Sequence, residues 1–215
     1  MSDAASRIRA VIRELEDLLD QLEEVEPIVA APSGSGPKLA IVVGHTRERP
    51  GALGGPPIGT FEYPWNTELA AQMSAAAATL PIQARTFFRD GVGVAGAYGE
   101  AQTWGADASL ELHFNSFSSP SATGTETIVG NQRGAKEFGE QVQRAMLDVL
   151  GLRSRGVKKP VDGRGAQNVG VLSKPSILLE PFFGSNPGDA AAGAARKGEY
   201  ARAVMSAASD WLNRA

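Results

Sequence analysis

Residues 38–43, KLAIVV, begin the part of the chain in which strand-like and helix-like segments alternate. This short run of aliphatic and β-branched residues has the length and composition of a buried strand. An alanine-rich segment at 66–80 is typical of a helix, and IQARTFF at 82–88 is typical of a second strand. A strand, a helix and another strand in succession favour two parallel strands joined by a crossover helix.

The same alternation continues to the C-terminus. Helices are predicted at 92–105, 135–151 (ending on the C-cap Gly151) and 190–213. Further strands are predicted at 108–114, at 125–130 as an edge strand, at 168–172 and at 176–180. The sequence therefore predicts an α/β domain over residues 38–215, with a mixed, mostly parallel sheet flanked by helices on both faces.

A different pattern precedes this domain. Aliphatic residues alternate at spacings of three and four, which predicts a coiled-coil-like heptad helix over residues 1–26: Ile8, Val11, Leu15, Leu18, Leu22 and Val25. Residues 27–37, PIVAAPSGSGP, have the composition of a linker. Two interpretations of residues 3–26 stay open: docking on their own domain, or pairing in a homo-oligomer or with a partner helix.

Composition excludes several classes of function. The net charge of −3 gives no electrostatic reason to expect nucleic acid as a partner. The absence of cysteine excludes disulfides, thiolate metal sites and cysteine nucleophiles. No apolar run approaches the roughly 18 residues of a transmembrane segment. The N-terminal residues lack the apolar region of a secretory signal, so we expect synthesis in the cytoplasm.

Residues able to perform chemistry collect where predicted strands end. The chain has two histidines, and each lies at the end of a predicted strand, as does Glu180. In open α/β sheets, ligands bind just beyond the carboxyl ends of the strands. Glu62 lies in GTFEYPWN, just before the first long helix. Together His45, Glu62 and His113 make a set of the kind that holds catalytic Zn²⁺, which leaves Glu180 for proton transfer.

Four ordered motifs carry a resemblance to a known family. They are VVGHT (42–46), FEYPWN (61–66), LELHFNS (110–116) and PSILLEPFFGSNPGD (175–189), supported by GTET (124–127) and RSRGVK (153–158). Over residues 38–213 the chain resembles the zinc-dependent N-acetylmuramoyl-L-alanine amidases of the amidase-3 type. The resemblance implies that His45, Glu62 and His113 bind zinc and that Glu180 is the general base.

The implied substrate is peptidoglycan. The implied reaction is hydrolysis of the amide between the lactyl group of N-acetylmuramic acid and L-alanine of the stem peptide. Without an export signal, the chain resembles the endolysins of phage-type host-cell lysis. We therefore expect it to act on the cell wall after passing through membrane lesions or being carried on a phage-like particle.

Alternatives stay open at several residues. Glu48 lies in an unusual loop after His45 and competes with Glu62 as the carboxylate ligand. Glu111 shares a strand face with His113 and could orient it, and Asn115 could brace the loop beyond it. Glu126 either lines the site or is a plain acid of an edge strand. For the whole protein, the alternatives are a zinc peptidase or amidohydrolase of another substrate, and a silent wall-binding or assembly module acting through the N-terminal helix.

Overall fold

The computed structural model describes residues 36–160, 165 and 168–214. The predicted heptad helix and residues 27–35 of the predicted linker lie outside the described residues, so both stay predictions. No helix in the described part of the chain is long and apolar enough to cross a membrane.

Within the described residues, six strands form one sheet. In chain order they are β1 (Lys38–Val43), β2 (Gln83–Phe87), β3 (Ala108–Leu112), β4 (Thr125–Val129), β5 (Ser154–Lys158) and β6 (Ser176–Glu180). Their order across the sheet is β2-β1-β3-β6-β4-β5. All neighbouring strands are parallel except β4 and β6, which are antiparallel, so the predicted mixed, mostly parallel sheet is confirmed.

Helices cover both faces of this sheet, as predicted. They are α1 (Glu62–Ala77), α2 (Gly93–Trp104), α3 (Ala135–Leu150), α4 (Pro187–Ala195) and α5 (Lys197–Leu212). The side chains of β1 show the division, because successive residues of a strand point to opposite faces. Leu39 and Ile41 join the larger core beneath α1, α3 and α5, whereas Ala40 and Val42 pack against α2.

The predicted strand at 168–172 is wrong. The amides of Asn168 and Val169 both donate to the carbonyl of Gly165 at 3.1 Å, which makes a local turn. The side-chain amide of Gln132 donates to the carbonyls of Val169 and Leu172 at 2.8 Å. Because these backbone groups are satisfied locally, they need no ladder partner. Val169 and Leu172, which suggested a strand, are buried in separate clusters.

The predicted position of 125–130 at a sheet edge is also wrong. Strand β4 lies between β6 and β5, and every residue in it is buried. The edge is instead β5, a short strand that the sequence did not predict. Its residues are exposed or half-buried, so it lacks the hydrophobic pattern by which buried strands are recognised.

Two helices differ from their predicted limits. Helix α1 begins at Glu62 rather than at residue 66 and ends at Ala77. Pro64 is tolerated in its first turn because the amides there have no helical partner. The single helix predicted at 190–213 is two helices separated at Arg196. The first of them starts earlier, where the side chain of Asn186 accepts a hydrogen bond from the amide of Asp189.

Candidate metal and catalytic site

The sheet topology brings three of the predicted site residues together at the carboxyl ends of neighbouring strands. Strands β1, β3 and β6 are adjacent and parallel, so their carboxyl ends meet. His45 lies two residues beyond β1, His113 follows β3 directly, and Glu180 is the last residue of β6. This is where open α/β sheets bind ligands.

Glu62 reaches these strand ends from the long loop between β1 and α1. It is the first residue of α1 and is buried. Its amide donates to the carbonyl of Ala52 at 3.0 Å, and its Oε1 accepts from the amide of Ala52 at 2.9 Å. These bonds fix Glu62 against the loop, so its Oε2 faces the histidines.

Two glycines leave room for the histidine rings. A Cβ on Gly44 would lie 2.3 Å from the carbonyl oxygen of Leu112 and 2.4 Å from His113 Nε2. Gly51 has a φ of 84°, and a Cβ there would lie 2.7 Å from His45 Cδ2. His45 itself has a positive φ of 69°, which is uncommon for a residue with a side chain and recurs at functional sites.

The three predicted ligands lie together. His45 Nε2 is 3.2 Å from Glu62 Oε2, and His113 Nδ1 is 3.1 Å from the same oxygen. His113 Nδ1 is also 3.1 Å from His45 Nε2. One donor atom from each residue lies within 4.8 Å of the others, so the group can hold one metal ion. Glu48 is exposed and outside this group, so the geometry favours Glu62 over it.

The close contacts within the group shift the pKa values of Glu62 and His113. Burial raises the pKa of Glu62, but hydrogen bonds with His113 and His45 outweigh it and lower that pKa from 4.5 to about 2. Burial lowers the pKa of His113, but hydrogen bonds to Glu111 and Glu62 outweigh it and raise that pKa from 6.5 to about 10. A ligating imidazole is deprotonated, so a metal ion would replace the His113 proton.

Glu180 lines the same cleft as the His45–Glu62–His113 group. It is half-buried, and its charge contributes to the raised pKa of His113. The cleft therefore places one carboxylate beside the possible metal ligands without including it in their group.

Comparison with known proteins identifies the family. A family model described as N-acetylmuramoyl-L-alanine amidase, of the amidase-3 type, matches residues 39–210. The chain belongs to this family. It is 32% identical over 165 residues to the N-acetylmuramoyl-L-alanine amidase LytC of Bacillus subtilis strain 168, covering 72% of this chain. The match spans 31% of LytC, so the chain corresponds to about a third of that relative.

Solved structures share the fold of this amidase domain. The catalytic domain of CwlV, an N-acetylmuramoyl-L-alanine amidase from Bacillus (Paenibacillus) polymyxa var. colistinus, superposes with a TM-score of 0.67 at 21% identity, covering 83% of this chain and 97% of that one. The N-acetylmuramoyl-L-alanine amidase AmiC2 of Nostoc punctiforme superposes with a TM-score of 0.69 at 22% identity. This match covers 85% of this chain and 98% of that one. At such identities the likeness shows the α/β fold alone.

Asn115 and Glu126 connect the cleft to the edge strand β5. Asn115 lines the cleft, and its Nδ2 donates to Glu126 Oε1 at 3.1 Å. Glu126 is fully buried on the internal strand β4, so its interpretation as a plain edge-strand acid is wrong. Arg155 Nε and Lys158 Nζ both donate to Glu126 Oε2 at 2.6 Å.

A buried asparagine of helix α1 braces the candidate site. Asn66 Nδ2 donates to the carbonyl oxygen of Leu112 at 3.1 Å, one residue before His113. Because Glu62 lies one turn earlier on the same helix, this bond fixes the distance between two of the possible ligands.

Three residues near His113 were missed by the sequence reasoning. Arg89, Tyr98 and Asn168 all donate hydrogen bonds to Glu111, the buried neighbour of His113. Arg89 carried a usable signal, since it lies two residues beyond β2 at the same edge of the sheet as the histidines. Tyr98 and Asn168 lie in a helix and a turn, where no strand-end rule identifies them.

Proposed function

We propose that this chain is a peptidoglycan hydrolase that cleaves the amide between N-acetylmuramic acid and L-alanine of the stem peptide. The observation that carries the proposal is the placement of His45, Glu62, His113 and Glu180 in one cleft of a chain that belongs to the N-acetylmuramoyl-L-alanine amidase family. LytC, of which this chain matches about a third, bears the name of that activity.

We infer that His45, Glu62 and His113 hold zinc. Two imidazole nitrogens and one carboxylate oxygen are a typical ligand set of catalytic zinc, which keeps a further position for water or substrate. When bound, zinc polarises a carbonyl and lowers the pKa of water to about 7. Hydrogen bonds support this set, because the amide of Ala52 donates to Glu62 and the carboxylate of Glu111 lies 3.1 Å from His113 Nε2.

Glu180 is the proposed general base. A base for amide hydrolysis must lie within hydrogen-bond reach of the attacking water, outside the metal ligands, and able to return its proton to the leaving amine. In support of this role, Glu180 borders the cleft at the end of β6, is half-buried and lies outside the group of possible ligands. It would take the proton of the water that attacks the lactyl carbonyl and deliver it to the amino group of L-alanine.

Variants of Glu180 test this assignment. Glu180→Gln keeps the shape of the side chain and removes its proton affinity, so release of stem peptide should fall by about 10²- to 10⁴-fold while zinc content stays at the wild-type level. His113→Ala should lose zinc and activity together. The control Glu100→Gln changes an exposed acid of α2 and should retain both. An active Glu180→Gln enzyme would remove Glu180 from the proposed mechanism.

The biological setting stays a prediction from the sequence. We propose phage-type host-cell lysis, with residues 3–26 as an oligomerisation or docking helix that lies outside the described residues. Light scattering of the full chain tests the second part: a dimer mass supports self-association, whereas a monomer mass contradicts it. The lysis role is tested by adding the protein to cells with permeabilised membranes. Loss of turbidity supports it, and stable turbidity would contradict it.

A further inference from the structure

Glu111 is a fully buried acid on β3 whose carboxylate receives four side chains. Its Oε1 is 2.9 Å from Arg89 Nη1, 2.7 Å from Asn168 Nδ2 and 3.1 Å from His113 Nε2. Its Oε2 accepts from the hydroxyl of Tyr98 at 2.8 Å. Nothing in the proposed reaction uses this carboxylate directly.

Charge balance alone does not explain the arrangement. A buried carboxylate needs a counter-charge and hydrogen bonds, and Arg89, Tyr98 and Asn168 supply them. The contact with His113 is a further one, directed at the ring nitrogen that faces away from His45 and Glu62. A carboxylate only accepts hydrogen bonds, so the nitrogen beside it must carry a proton. The other nitrogen, Nδ1, then presents its lone pair to the proposed metal position.

We propose that Glu111 is a positioning residue that fixes the tautomer and the ring orientation of His113 for metal binding. Arg89, Tyr98 and Asn168 hold Glu111 in turn. They come from the end of β2, from α2 and from the β5–β6 connection, so the orientation of one ligand depends on three separate elements. Carboxylates that accept from the second nitrogen of a metal-bound histidine raise its basicity and restrict its ring.

Asn168 extends this arrangement to the wall of the cleft. Val169, its neighbour, is buried against Ile128 and Leu178, and Leu178 lies two residues before Glu180 on β6. The turn that carries Asn168 therefore packs on the strand that carries Glu180 while it bonds to the acid that holds His113.

The inference rests on the proposed function because it takes His113 as a metal ligand, but its test needs no hydrolysis. The dissociation constant for zinc is measured by competition with a chelator for wild type, Glu111→Ala and Glu111→Gln. Glu111→Ala should weaken zinc binding by about 10- to 100-fold. Glu111→Gln should weaken it less, since glutamine keeps one acceptor oxygen for Nε2–H.

Asp189→Asn is the matched control. Asp189 is also a buried acid, but it accepts from the amides of Gly124 and Phe183 at 2.9 Å, away from the ligands. The Asp189→Asn substitution should lower the free energy of unfolding but should change the zinc dissociation constant by no more than about twofold. A fall in affinity in all three variants would mean that loss of any buried acid is enough, and the inference would be overturned.

Nuclear magnetic resonance of ¹⁵N-labelled histidine gives a readout that a merely structural residue would not change. Wild type should show a slowly exchanging His113 Nε2–H, which Glu111→Ala loses and Glu111→Gln retains. A folded Glu111→Ala protein with the wild-type zinc affinity and the wild-type Nε2–H signal overturns the inference. If wild type binds no zinc, the proposed function fails, while the Nε2–H signal of the metal-free protein still decides whether Glu111 holds the ring.

Discussion

Gly44→Ala should damage the site although it adds one methyl group at a position that ligates nothing. The new Cβ would lie 2.3 Å from the carbonyl oxygen of Leu112 and 2.4 Å from His113 Nε2, about 1 Å inside the 3.4 Å at which ordinary contact begins. The carbonyl belongs to the backbone of β3 and cannot turn aside. The end of β1 must therefore move away by about 1 Å, and the same methyl group presses on the ring of His113.

Two effects of different size follow from that shift. Forcing a methyl group into a packed position costs typically about 1–3 kcal/mol of unfolding free energy. The metal site should suffer more, because its donor atoms lie only 3.1–3.2 Å apart and His113 would leave its bond to Glu111. Displacements of about 1 Å at a reacting centre can reduce rates by about 10²-fold. We expect hydrolysis to fall by that factor or more and zinc affinity to fall with it.

Gly99→Ala is the matched substitution. Gly99 lies within α2, and among the described residues a Cβ added there would meet nothing within 4 Å beyond the backbone of its own helix. The same chemical change there should stabilise the protein by about 0.4–1 kcal/mol, because alanine loses less conformational freedom on folding. Urea denaturation of the metal-free proteins and chelator competition measure both effects. A Gly44→Ala protein with wild-type stability and zinc affinity would refute the packing argument.

Other contacts make further predictions. Because the pKa of His113 is raised from 6.5 to about 10, its stabilising contribution is complete below pH 6.5 and is lost as pH rises towards about 10. The unfolding free energy of the metal-free protein should fall over that range, and a flat or rising profile in urea titrations would contradict this sign. Glu126→Gln removes the charge that Arg155 and Lys158 share. It should lower the unfolding free energy measured in urea titrations by about 1–3 kcal/mol. Glu140→Gln, which removes a solvent-exposed ion pair on α3, should change it by no more than about 0.5 kcal/mol; equal losses in these two variants would be inconsistent with the burial of Glu126.

The possible ligands were predictable because they obey local rules. His45, His113 and Glu180 lie at the ends of strands with strong hydrophobic patterns, and adjacent parallel strands bring their carboxyl ends together. Glu111 lies two residues before His113, so the period of the strand alone placed the two side chains on one face. Glu62 needed its helix-opening motif, since nothing in its loop distinguishes it from Glu48.

The residues that sequence reasoning missed depend on packing between distant segments. Tyr98 and Asn168 reach Glu111 from 13 and 57 residues away along the chain. No periodic pattern links such positions. Likewise, β5 is short and half-exposed at the sheet edge, and the 168–172 segment buries two apolar residues from a turn. In both cases tertiary contacts, rather than local propensity, decide the structure.

The most direct test of the central claim is mass spectrometry of the products released from purified peptidoglycan by the zinc-loaded protein. The proposed function predicts stem peptides with a free L-alanine amino terminus and glycan strands that remain intact. Peptides cut between other residues, or disaccharides still joined to their peptides, would contradict the assignment of the bond and indicate another hydrolase.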